Sequence, residues 1–147
     1  MSTQATAPPL LRSVTVAVSV ERAFGVFTRR VGDWWPLHTH GCFDEATAGV
    51  SFEGDRLIER SRAGEEAVWG EILAWDPPTR IAFTWHPGYA EGDPMSEVEV
   101  RFRARGGSTV VELEHRGWER LGGRAEEARA GYEVGWPIVL GRYAEAV

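Results

Sequence analysis

The chain has 147 residues, 43% of them hydrophobic and 26% charged, and a net charge of −6. That is the composition of one soluble globular domain, long enough to bury roughly 68–70% of its unfolded surface without staples. All sixteen basic residues are Arg, none in a cluster longer than Arg29-Arg30. This argues against a nucleic-acid partner, which needs a basic stripe. No apolar run approaches about 18 residues, so no membrane span is expected. Cys42 is the single cysteine, which leaves no intrachain disulfide and makes the cytoplasm the default compartment.

In chain order, residues 1–10 (MSTQATAPPL) lack the basic start and apolar core of a signal peptide and read as a flexible leader. Residues 11–147 read as a single domain. RSVTVAVS, 12–19, alternates strictly and predicts a half-buried strand. Ser19 is placed to cap a helix whose Val20, Phe24, Phe27 and Val31 form one apolar stripe. GDWWPL follows as a short second helix or a corner at Pro36. From residue 48 the period becomes 2. Strands are expected at 48–53, 55–60, 66–75, 79–85, 95–104 and 108–115. Their separators (EGD, RAGE, DPP, RGG) are short turns, which make sequential strands antiparallel neighbours. In 95–104 Val98, Val100 and Phe102 share one face while Glu97, Glu99, Arg101 and Arg103 share the other. A helix over about 123–146 supplies the cover, with Tyr132, Trp136, Leu140 and Tyr143 along one stripe. Pro137 should kink or restart it.

Seven Trp in so small a chain suggest a bulky core or a cavity wall. The stretch WWPLHTHGCFDE sets His38, His40 and Cys42 at alternate positions, followed by Asp44 and Glu45. A zinc site wants about four ligands in paired spacings. The only other His residues are His86 and His115, so the stretch reads as a helix-to-sheet corner at a cavity rim, and no metal is expected. His115 shares parity with Val111 and Leu113 and should face the covered side. There it is either a pocket group or a hydrogen-bonded end-of-strand residue. Glu71, in VWGEILAW, shares parity with Trp69 and is either a desolvated base or a surface charge, according to which face of 66–75 turns inward. HPGYAEGDP, 86–94, is the expected lid. No nucleophile elbow or glycine-rich phosphate loop occurs, so neither covalent catalysis nor a nucleotide cofactor is expected.

The segments WWPLHTH, VWGEILAWDPPTRIAFTWHPG, SEVEVRFRARGGSTVVELEHRGWERLG and GYEVGWPIVLGRY resemble the SRPBCC superfamily, the START and birch-pollen-allergen group. Within it the chain is similar to the bacterial branch named for the activator of the heat-shock protein 90 ATPase. The resemblance implies an α+β helix-grip fold of about seven strands, order β-α-α-β-β-β-β-β-β-α, curled around a long C-terminal helix with a cavity between. It implies a small hydrophobic or amphipathic ligand, held by a wall expected to comprise Trp35, Trp69, Trp85, His115, Trp118, Tyr132, Trp136 and Tyr143, with no cofactor and no catalytic residue. The alternatives it brings are a polyketide cyclase or dehydratase using Glu71 and His115, and a stress-response partner of a chaperone. The eukaryotic activators it resembles carry a further N-terminal domain that 147 residues leave no room for, so chaperone stimulation is the lesser expectation. Monomer and homodimer both stay open.

Overall fold

A computed structural model describes residues 8–87 and 94–147, the side chains of Leu37, His38 and Asp44 excepted. Residues 1–7 of the expected leader and most of the expected lid therefore lie outside the described residues. Strand β1 (Leu10–Val16) starts two residues earlier than the alternation suggested, because Leu10 is buried and pairs with His115. Helix α1 (Val20–Arg29) is capped as predicted, Ser19 Oγ accepting from the Arg22 N–H at 3.2 Å. Two single-turn helices follow, α2 (Val31–Trp34) and α3 (Leu37–His40). Residues 37–40 are thus helical, so the continuous extended backbone that the alternate spacing of His38, His40 and Cys42 presupposes is not formed.

The meander comprises β2 (Thr47–Glu53), β3 (Arg56–Ser61), β4 (Glu66–Asp76), β5 (Arg80–Trp85), β6 (Ser96–Arg105) and β7 (Ser108–Arg116). With β1 it makes one seven-stranded antiparallel sheet in the order β1-β7-β6-β5-β4-β3-β2. A 3₁₀ segment, Trp118–Arg124, leads into α4 (Ala125–Ala146). The sheet curls around α4, which gives the α+β helix-grip architecture. No helix among the described residues is long and apolar enough to cross a membrane.

One face of the sheet is covered, as the period required. Val98, Val100, Phe102, Val111 and Leu113 join Trp136, Val139, Leu140 and Tyr143 of α4 in one core, with Phe24 and Phe27 of α1. The opposite face carries an ion-pair lattice. Arg101 reaches Glu99, Glu112 and Glu114, each at 3.2 Å, and Arg116 reaches Glu99 at 2.6 Å. Glu99 is buried at the centre of this lattice, and Arg101 and Arg116 are part-buried beside it.

Pro137 neither ends nor restarts α4. Its missing N–H would have bonded the carbonyl of Glu133, four residues back. That carbonyl instead accepts from Arg12 Nη2 of β1 at 3.4 Å, and Pro137 itself is solvent-exposed, so the helix runs on past it.

Candidate functional site

A cavity of about 260 Å³ opens between the end of β5, the α2–α3 corner and the middle of α4. Trp35, Trp85, Tyr132 and Trp136 form its aromatic walls, and His40 and Cys42 its outer rim. The rings pack on one another. Trp85 and Trp136 lie 5.2 Å apart, Trp35 and Trp136 5.9 Å apart at 89°, and Tyr132 and Trp136 are stacked at 5.8 Å. Each indole N–H in this wall is already committed. Trp35 Nε1 donates to the His40 carbonyl at 3.0 Å, Trp85 Nε1 to the Tyr132 hydroxyl at 2.8 Å, and Trp136 Nε1 to His115 Nδ1 at 3.0 Å. The indoles therefore offer a guest ring faces and edges rather than donors. The volume falls just below the roughly 300 Å³ lower bound of drug-sized pockets.

The other residues expected at the wall lie one layer deeper. His115 is fully buried. Its Nδ1 accepts from Trp136, whose N–H can only donate, so the proton sits on Nε2, which donates to Ser96 Oγ at 2.7 Å. The Ser96 hydroxyl in turn donates to the Trp85 carbonyl at 3.4 Å. Burial pushes the imidazole pKa down to about 3, so the ring is neutral near neutral pH. His115 thus ties Trp136 and, through Ser96, the Trp85 backbone together as a neutral ring. Trp118 is fully buried and tilted against the His115 ring at 4.0 Å. Tyr143 lies apart from the cavity, its hydroxyl donating to the Ala23 carbonyl at 2.7 Å and its pKa raised by burial. Trp69 packs behind Trp35 at 4.9 Å, its indole N–H turned away from the cavity toward Glu59.

Glu71 is not a cavity base. Trp69 is fully buried, but Glu71, Leu73 and Trp75, of the same parity, are exposed. The pairing of β3 with β4 slips by one residue there, between Leu57–Gly70 and Ile58–Val68. A bulge of this kind reverses the facing of every residue beyond it. Gly70 makes it feasible, since a Cβ there would sit 1.7 Å from the Thr84 carbonyl oxygen. The expected Glu71–His115 acid–base pair is therefore not assembled.

The sequence reading passed over Glu59, a buried carboxylate beside the rim. Its Oε1 accepts from the Cys42 N–H at 2.6 Å and Trp69 Nε1 at 3.0 Å. Its Oε2 accepts from the Phe43 N–H at 3.2 Å and the Thr47 hydroxyl at 2.5 Å. Four donors hold this carboxylate, and among the described residues no cation pairs with it. Parity gave no signal, because Leu57 and Ile58, on opposite parities of β3, are both buried.

The family model described as Activator of Hsp90 ATPase homolog 1-like protein matches residues 17–147. The chain belongs to this family. No curated protein matches the sequence. Among solved structures, an anthrahydroquino-γ-pyrone synthase, Txn09, complexed with SUM, is 36% identical, with 97% of this chain and 98% of that one covered and a TM-score of 0.63. A self-sacrificing resistance protein, CalC from Micromonospora echinospora, is 29% identical over 95% and 93% of the two chains, with a TM-score of 0.71. The Aha1 dimer from Colwellia psychrerythraea, 14% identical over 95% and 96% with a TM-score of 0.66, shares the fold. The family thus agrees with the resemblance carried by the sequence motifs.

Proposed function

We propose that this protein is a cytoplasmic binder of a small, flat, largely apolar molecule of the polycyclic aromatic type, held in the cavity between β5, the α2–α3 corner and α4. The observation that carries the reading is an open cavity of about 260 Å³ whose wall is built from Trp35, Trp85, Tyr132 and Trp136 with their indole N–H groups already spent. Such a wall binds by area and ring contact. Burial contributes about 25 cal/mol per Å² before the costs of association, and each favourable aromatic pair adds about 0.5–1.5 kcal/mol. The 36% identity to a synthase of a fused aromatic product, in a structure that holds a bound compound, supports this class of guest.

The test is a tryptophan-fluorescence titration with a hydroxylated anthraquinone, run beside a saturated fatty acid of similar carbon number. Saturable quenching by the anthraquinone and none by the fatty acid is the expected result. No saturable response to any flat aromatic removes the proposal.

The same relative favours a second reading, ring closure of a polyketide-like substrate in this cavity. Proton handling would then fall to His40, the imidazole on the rim, rather than to His115 or Glu71. His40→Gln abolishing turnover while guest affinity persists would support catalysis. Unchanged turnover would remove His40 from that role.

A further inference from the structure

The buried carboxylate of Glu59 is used by nothing in the binding reading, yet it joins the cavity rim to the layer behind the Trp35 wall. On one side it takes two consecutive backbone N–H groups, those of Cys42 and Phe43. Cys42, with its neighbours His40 and Gly41, lines the rim. On the other side it takes the indole N–H of Trp69, and Trp69 packs on Trp35, the facing wall. Trp35 closes the loop by donating to the His40 carbonyl. Rim and wall are therefore fastened to one another at two points, and one of the two is a charge. A buried anion accepting four hydrogen bonds holds its donors more firmly than neutral pairs would, since charge-assisted bonds are shorter and stronger. Removing it would leave several buried donors unpaired at once.

We propose that Glu59 is a positioning residue of this cavity: by gripping the Cys42–Phe43 backbone and the Trp69 indole together, it fixes the gap between the His40–Cys42 rim and the Trp35 wall, and so the thickness of the guest admitted. The inference rests on the binding reading for its ligand and on the hydrogen bonds alone for its geometry. An aromatic guest one ring thick fits a fixed gap. A puckered, hydrogenated guest of the same outline requires the rim to move.

Two measurements on wild type and on Glu59→Gln test this. Glutamine keeps the shape but puts an N–H₂ where one oxygen accepted, so at least one donor must turn away. The first measurement is the ratio of affinities for anthraquinone and its perhydro analogue. The second is the rate of Cys42 alkylation by a small maleimide, which needs no guest. Thr47→Val serves as the control, because it removes a donor to Glu59 outside the rim. In E59Q the affinity ratio should fall by about ten-fold and alkylation should quicken by about ten-fold, while T47V changes either by less than about three-fold at a comparable loss of Tm. A purely structural role predicts that T47V and E59Q move together, and that result overturns the proposal. So does a folded E59Q with unchanged ratio and unchanged alkylation. Should E59Q not fold, amide hydrogen exchange in the wild type decides. Cys42 and Phe43 must be protected like sheet amides, and exchange at unstructured-loop rates refutes the clamp. If wild type binds neither guest, the binding reading fails, whereas alkylation and exchange still judge Glu59.

Discussion

Acid should destabilise this protein through His115, and by a calculable amount. The ring is fully buried, with Nδ1 accepting from Trp136 and Nε2–H donating to Ser96. A proton added to Nδ1 would face an N–H that cannot accept it. The folded-state pKa is accordingly depressed to about 3, from an ordinary 6.5. The sign follows from linkage. Below about pH 6.5 the unfolded chain takes up a proton that the folded chain refuses, so stability falls as pH falls, and it levels off only near the folded value. The slope is about 1.4 kcal/mol per pH unit, on the order of 2–3 kcal/mol lost by about pH 4.5. Glu99 adds an acid-side loss of the same sign. Burial raises the Glu99 pKa, but hydrogen bonds from Arg116 and Arg80 outweigh it and hold the carboxyl below its ordinary value. The perturbation that isolates the imidazole is therefore His115→Asn, whose amide oxygen can still accept from Trp136 and which takes up no proton. Urea unfolding of both proteins between about pH 7 and about pH 4.5 gives the two slopes. The variant should start less stable and lose on the order of 2–3 kcal/mol less over that range. Parallel pH profiles would refute the assignment of a neutral, anchoring His115.

Two further substitutions separate the cavity from the core. Gly135 lines the cavity within α4, and a Cβ there meets only His40 Cδ2 at 3.9 Å. Gly135→Leu should fill the space and abolish guest-induced fluorescence change while holding or raising the Tm, since a mid-helix Gly costs about 0.5–1 kcal/mol relative to Ala. Loss of binding accompanied by unfolding would count against this placement. Ser96→Ala leaves the buried His115 Nε2–H without its acceptor, which should cost about 1–3 kcal/mol in denaturant unfolding. A neutral effect would mean that Ser96 is not the acceptor.

The architecture was legible because an antiparallel sheet covered on one side imprints its period on the chain. Val98, Val100 and Phe102 read as inward from sequence and are inward. The helical stripe of Trp136, Leu140 and Tyr143 likewise found the core, and Ser19 announced its own cap. Two features were not legible, each for a long-range reason. Parity along β4 fails at the Trp69–Gly70 bulge, where the slip is set by pairing with β3 and by the close approach of Thr84, so Glu71 could not be placed by counting. Pro137 looked like a break because its compensation comes from Arg12, 121 residues away from Glu133 in sequence.

The cavity residues show the same limit. Composition and spacing pointed to the aromatic cluster, but how deep each ring sits is a tertiary property. Trp85 and Trp136 reach the hollow, while Trp69 and Trp118 lie behind it. Glu59 was not legible by counting, since both parities of β3 are buried there and its four donors come from Cys42, Phe43, Thr47 and Trp69.

The central claim is that a flat guest sits against the indoles of Trp35, Trp85 and Trp136. Intermolecular nuclear Overhauser effects between the ring protons of a bound anthraquinone and the assigned indole protons test it most directly. The account predicts contacts to Trp35, Trp85 and Trp136 and none to Trp75, which lies in a separate surface groove beside α1. Saturable binding with contacts only to Trp75, or to no tryptophan, would contradict it.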